Sequence, residues 1–242
     1  MENKILDLLA LLIPYDTNID LVRIGQNGDG GYVIPNDFAD VTDVISLGIS
    51  DEVSFDLYFA ERGAKVHQFD PSVDGPPLYN QNFHFHKEGF GVYENAMHNN
   101  LDTILSKCGL SAGNKKILKF DVEGSEYTGL CGSSDEALNQ FSIITGEFHS
   151  LDWIQRIEYY DTFYLTFKKL SKLFTPVHVH PNNGGPIAVI DNTPIPSLLE
   201  ISYIRNDLVT KRSVNVKTRS PLDCRNLPGR AEIFWNPANF FY

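Results

Sequence analysis

The sequence has only three cysteines, Cys108, Cys131 and Cys224. They are odd in number and too far apart for a disulfide framework or a CxxC metal motif. Their scarcity leads to an expectation of a reduced, cytoplasmic setting. Long apolar runs are missing too: the most apolar stretch near the start, residues 5–14, is short and carries Asp7 inside it, so no membrane span is expected. A secretory leader opens with positive charge and keeps its apolar run free of acid, so Glu2 and Asp7 argue against one. Basic charge is also in short supply. Lys and Arg number 20 against 31 Asp and Glu, a net charge of −11, which opposes binding to duplex nucleic acid.

What is present is an ordinary globular composition, 42% hydrophobic and 21% charged over 242 residues, enough for one sizeable core. No composition shift or internal repeat divides the chain. We expect one domain over 1–242: an N-terminal helix and glycine hairpin (1–40), a Rossmann-like core (41–205) and a basic extension (206–242). Ile5, Leu8, Leu9 and Leu12 fall at helical spacing. Two apolar runs around Gly28-Asp29-Gly30-Gly31 read as a hairpin or tight glycine loop.

Strands and helices then alternate. Strands are expected at 44–48, 65–69, 82–87, 116–120, 141–146 and 176–180. Helices are expected from Ser54, as cap, to about Arg62, and over 101–110, 125–138 and 159–173. Residues 198–204 and 231–235 have strand character and can close the sheet antiparallel. The pattern defines a doubly wound, mostly parallel α/β sheet with helices on both faces.

In such sheets ligands bind at the carboxyl ends of the strands, where strand order reverses. Gly48 after one strand and Asp70 about 20 residues later form the spacing of a nucleoside site, glycine for close approach and carboxylate for ribose hydroxyls. The loop Gly48-Ile49-Ser50-Asp51-Glu52 is acidic and lacks GxGxxG, which is hostile to a pyrophosphate. It suits a cationic, phosphate-free ligand such as S-adenosylmethionine better than NAD. Asp29-Gly30-Gly31 can add a second glycine wall, with Gly31 facing the same pocket.

Asp121 and Glu123 follow the 116–120 strand, and Glu147 and His149 the next. Period-two alternation puts Glu147 and His149 on one side, with Phe148 opposed, and likewise pairs His178 with His180. Asp121, Glu147, His149 and His178 or His180 can supply an oxygen/nitrogen set for a divalent ion such as Mg, Mn or Fe. Without metal, a histidine serves as general base for a hydroxyl acceptor. Asp121, His149 and His178 are the catalytic candidates.

Val44-Ile45-Ser46-Leu47-Gly48, Gln68-Phe69-Asp70-Pro71 and above all Leu118-Lys119-Phe120-Asp121-Val122-Glu123-Gly124-Ser125-Glu126 resemble the FkbM-type and related class I S-adenosylmethionine-dependent methyltransferases. The resemblance covers residues 20–205. It implies a class I methyltransferase fold and O-methylation of hydroxyls on natural products or on sugars of glycans and polysaccharides. It further implies that Gly48 and Asp70 hold the methyl donor, with Asp121 and Glu123 beside its methionine or the acceptor. The chain departs from the family in lacking GxGxG after the first strand, which leaves the donor contacts of Ser50 and Asp51 open.

Residues 205–230 carry seven Lys or Arg against Asp207 and Asp223, and Arg205 among them can grip an anionic, nucleotide-linked or phosphorylated sugar. Trp153 can stack on a sugar face, and His180 and Asn182 stand beside the expected acceptor. Two other readings remain at this point. Tyr164 and Lys168 have the Tyr-x-x-x-Lys spacing of short-chain NAD(P)-dependent sugar-nucleotide dehydrogenases and epimerases. A sugar-binding module without turnover fits the same fold.

Overall fold

The structure is a computed structural model that describes residues 2–92, 98–110 and 115–242. Its centre is a seven-stranded sheet of β1 (Val41–Leu47), β2 (Lys65–Phe69), β3 (Phe83–His86), β4 (Lys115–Phe120), β5 (Ile143–Phe148), β6 (Phe174–Pro181) and β7 (Leu199–Arg205). Their order across the sheet is β3-β2-β1-β4-β5-β7-β6. β7 runs antiparallel to both its neighbours, while the β3-β2-β1-β4-β5 pairs are parallel. The chain leaves β1 in one direction, through β2 and β3, and returns to β4 on the other side. Strand order therefore reverses between β1 and β4.

Alternation along each strand sorts the core into two layers. Val44, Val66, Ile117 and Ile143 face α2 (Ser54–Ala60) and the hairpin of Leu21–Ile24 with Tyr32–Pro35. Ile45, Leu47, Leu118, Phe120, Ile144 and Phe148 face the opposite layer. That layer contains α1 (Glu2–Ala10), α3 (Leu101–Cys108), α4 (Glu126–Gly132), α5 (Asp135–Leu138) and α6 (Ile157–Leu173). Helices thus flank both faces, but α2 shares its side with a hairpin. Ile5, Leu8, Leu9 and Leu12 form the buried stripe of the N-terminal segment, as their spacing implies. Among the described residues no helix is long and apolar enough to cross a membrane.

Several boundaries differ from the sequence reading. Ser54 is the first residue of α2 and not its cap, because its Oγ accepts the Gln26 backbone N–H at 2.7 Å. The expected helix over 125–138 is broken: Ser134 adopts extended backbone and caps α5, accepting from Ala137 N. β5 begins and ends two residues later than expected, so Glu147 lies within it. Residues 231–235 form no strand. Trp235 is instead buried, with Nε1 donating to Pro194 O at 2.8 Å.

Candidate active site

Three loops at the carboxyl ends of β1, β2 and β4 enclose a cleft of about 450 Å³, beside the reversal of strand order. Gly48 closes β1 with φ +77°, and a Cβ there would lie 1.7 Å from the Asp121 carbonyl oxygen. Glycine is required because the β1 and β4 loops touch through their backbones. The same approach is tied by Asp121 N donating to Leu47 O at 2.8 Å and by Lys119 Nζ donating to Gly48 O. Ser50, Glu123 and Ser150 follow β1, β4 and β5, and all three hold left-handed backbone, with φ of 44°, 52° and 56°. Such conformations are costly for residues with a Cβ and cluster where loops are shaped for function.

Asp70 lines the cleft, and its carboxylate is fully engaged. Oδ2 accepts the backbone N–H groups of Ile49 and Ser50, both at 2.9 Å. Oδ1 accepts Ser72 N at 2.8 Å and Ser72 Oγ at 2.5 Å. Burial works against the charge, but the Ser72, Ser50 and Ile49 bonds outweigh it and hold the carboxyl below its usual range. Asp70 therefore braces the β1 loop as well as facing the cleft. Gly30 of the hairpin lines the cleft. Gly31 does not; its missing Cβ leaves room for the Gln26 carbonyl oxygen within the turn.

Beyond Asp121 the wall becomes an imidazole ringed by carboxylates. His149 Nε2 lies 3.6 Å from Asp121 Oδ1, 3.4 Å from Glu123 Oε2 and 3.5 Å from Glu147 Oε2. Glu126, fully buried, organises this group from behind: it accepts Gly124 N at 2.8 Å and His149 N at 2.7 Å. Burial disfavours the charged ring, yet Glu126, Glu147 and Asp121 overcome it and raise His149 to about 9. Burial, and next the charge of Asp121, push Glu147 well above the usual carboxylate range, with His149 opposing.

The expected partners divide. Asp121, Glu123 and His149 offer ligand atoms within 4.8 Å of one another, with Glu147 alongside. His178 does not join them: its Nε2 meets Asp223 Oδ1 at 2.8 Å, and it lines a different cavity. His180 is buried with Nδ1 3.1 Å from Glu200 and Nε2 3.4 Å from Glu232. Asn182 belongs to the polar shelf beside His149, donating to Glu147 Oε1 at 2.7 Å. Trp153 packs on Tyr159 and under the Arg156 guanidinium and is not a cleft residue.

Arg205 is a correction. It ends the antiparallel β7 opposite Phe174, which begins β6, so it lies at the far end of the sheet from the cleft. There it pairs with Asp207 at 2.6 Å and caps Asn139 O at 2.8 Å. Nor does the rest of the basic segment reach the cleft: Lys217 and Arg219 line the His178 cavity, and Arg230 donates to Gly184 O at 2.5 Å. Glu126 was given no role from sequence, and Asp29 was read only as part of the glycine wall. Glu126 closes the Asp121–Glu126 motif and was visible as its last acid. Asp29, on the cleft wall, accepts Asn226 Nδ2 at 3.2 Å across 197 residues, a contact no local pattern announces.

An order of β3-β2-β1-β4-β5-β7-β6 with an acidic cleft at the reversal defines a Rossmann-like class I methyltransferase fold. The model of the methyltransferase FkbM domain matches residues 15–172, and the chain belongs to that family. It is a methyltransferase by family, and S-adenosylmethionine is the cofactor the family implies. No curated protein matches the chain. Among solved structures it is similar to one described as an S-adenosylmethionine-dependent methyltransferase from Listeria monocytogenes. Identity is 12%, with 69% of this chain and 91% of that chain covered and a TM-score of 0.36.

The donor set fits that cofactor. Asp29, Asp51, Glu52, Asp70, Asp121 and Glu123 line the cleft, while the Lys119 ammonium is turned to the Gly48 carbonyl. Such a wall complements a sulfonium and an ammonium and repels a pyrophosphate. Tyr164 and Lys168, the pair suggestive of a dehydrogenase, lie on α6, where Tyr164 stacks on Tyr160 and Lys168 sits over its ring. Neither lines the cleft.

Proposed function

We propose that the protein transfers a methyl group from S-adenosylmethionine to a hydroxyl of a sugar, in a glycan or its precursor. The observation that carries this reading is the continuity of the acidic cleft with the His149 cluster. One side suits a cationic methyl donor, and the other can receive a proton.

S-adenosylmethionine supplies an electrophilic methyl group when bound. Gly48 and the Asp70-braced loop shape its nucleoside site, and Asp70 Oδ1 would trade its bond from the Ser72 hydroxyl for ribose hydroxyls. Asp121 and Glu123 face the positive end of the donor. Because its pKa is raised to about 9, His149 is mostly imidazolium at neutral pH. Its neutral form, which grows as pH rises toward 9, would take the acceptor hydroxyl proton at Nε2 and leave the oxygen to form the new C–O bond as the C–S bond breaks. The carboxylates of Asp121 and Glu123 then hold the imidazolium, with Glu147 beside them. Glu126 is a positioning residue that fixes the ring from its other side.

Support for a neutral acceptor comes from Asp121 and Glu123, the acids beside His149, which repel an anion there. An anionic grip finds less support, since the arginines offered for it are engaged elsewhere. A second reading is favoured by the 4.8 Å grouping of Asp121, Glu123 and His149, which can hold a divalent ion. In that case Lewis acidity, not the imidazole, lowers the hydroxyl pKa.

The test is transfer from methyl-labelled S-adenosylmethionine to neutral sugars, nucleotide sugars and oligosaccharides, with and without chelator. Label in an alkali-stable methyl ether on a sugar supports the proposal. Label in an alkali-labile ester or on nitrogen overturns it. Activity abolished by chelator and restored by Mn or Mg selects the metal reading.

A further inference from the structure

At the opposite edge of the sheet from β6, a second group of side chains has no part in the reading above. His67 on β2 lies in register with His84 on β3, and Phe69 with His86. Alternation puts His67, His84 and His86 on one face, the face covered by α3. Cys108, the last residue of α3, reaches the same place. His67, His86 and Cys108 each offer one ligand atom, and these lie within 4.8 Å of one another.

The histidines look unfinished. His67 is only 6% exposed, yet neither of its ring nitrogens has a hydrogen-bond partner. His86 Nε2 is buried and likewise without one. Buried imidazoles ordinarily satisfy their nitrogens, because leaving them dry is costly. The rings are held in place by stacking: His86 lies flat on Phe69 at 4.4 Å, and His84 lies on His67 at 5.2 Å. Asp43 Oδ1 stands 3.8 Å from His67 Nε2, where a carboxylate can orient a ligating imidazole through its second nitrogen.

We propose that His67, His86 and Cys108 form a transition-metal site, with Zn2+ as the ion it takes. Two imidazoles and one thiol make a soft to borderline donor set, which selects Zn2+ and disfavours Mg2+ or Ca2+. Binding releases the thiol proton, so that the ligand is the Cys108 thiolate. A fourth position is left for water. The site clamps β2 and β3 to the end of α3. It also touches the methyl-transfer cleft through the backbone, because the His86 carbonyl accepts Asp70 N at 3.2 Å. The proposal does not depend on the methyl-transfer reading.

The full chain, stripped of metal, is titrated with Co2+ and then Zn2+. One Co2+ should bind with a thiolate-to-cobalt charge-transfer band and tetrahedral d–d absorption, both bleached by one equivalent of Zn2+. The band should vanish in Cys108→Ser and survive in Asp121→Asn. Co2+ bound without the band, or a band unchanged in Cys108→Ser, overturns the proposal. Should the variant fold poorly, the wild-type protein gives an independent answer through alkylation. Zn2+ should slow modification of Cys108 by at least about tenfold while Cys131 and Cys224 react as before. Equal rates at Cys108 with and without Zn2+ overturn it.

Discussion

Glu126 holds His149 at two points, accepting its backbone N–H at 2.7 Å and standing 3.4 Å from its ring Nδ1. The acid that opens α4 thereby sets both the end of β5 and the orientation of an imidazole in the candidate site. It also fixes the Asp121–Glu126 loop through Gly124 N. Replacing it with Gln keeps an acceptor but removes the charge. Glu126→Gln is expected to lower kcat roughly 10–100-fold with little change in KM for the methyl donor. Steady-state kinetics on both substrates checks it, and rescue of kcat by Glu126→Asp would mark the charge as the active feature.

Gly48→Ala places a Cβ 1.7 Å from a backbone oxygen that no side-chain rotation can move. The left-handed conformation adds its own cost. Together these should destabilise the fold by about 2–5 kcal/mol. Denaturant unfolding measures this, and the surviving folded fraction should bind the donor weakly because the β1 and β4 loops are forced apart.

Asp70 has a depressed pKa in the folded chain, so its contribution to stability is present above about pH 4 and lost as pH falls through the folded value. Asp70→Asn removes two acceptor sites and turns an amide toward donors. A loss of about 1–3 kcal/mol at pH 7 is expected, shrinking under acid conditions. Donor affinity should fall by at least about tenfold in the same variant.

His180 behaves with the opposite sign. Burial opposes its charge, but Glu200, Asp223 and Glu232 raise it to about 9. A histidine raised in the folded state stabilises fully below its unfolded pKa, about 6.5, and that contribution disappears as pH rises through about 9. At most about 3 kcal/mol is involved. The stability gap between the wild-type protein and His180→Asn should therefore be widest near pH 6 and narrow above pH 9, as measured by denaturant melts across that range.

Much of the sheet was legible because β1, β2 and β4 are short segments of β-branched, aliphatic and aromatic residues closed by Gly48, Asp70-Pro71 and Asp121. The pairing of Glu147 with His149 followed from period two alone. Other features depended on tertiary contacts. His149 and His178 both stand near strand ends, and only the return of Asp223 from 45 residues away sets His178 apart. Arg205 was misplaced although residues 198–204 were read as able to close the sheet antiparallel: such a strand carries its last residue to the end of the sheet opposite the cleft. The 231–235 segment resembles a strand, yet Trp235 is spent on Pro194 O while Phe234 is exposed. Helix 125–138 divides because Ser134 accepts from Ala137 N, a cap inside an otherwise helical pattern.

Calorimetric titration of S-adenosylmethionine into the wild-type protein, repeated with Asp70→Asn and with NAD, tests the central claim most directly. The account predicts one donor site, weakened in Asp70→Asn, and no binding of NAD to a cleft lined by carboxylates. Binding of NAD without S-adenosylmethionine, or donor binding indifferent to Asp70, would contradict it.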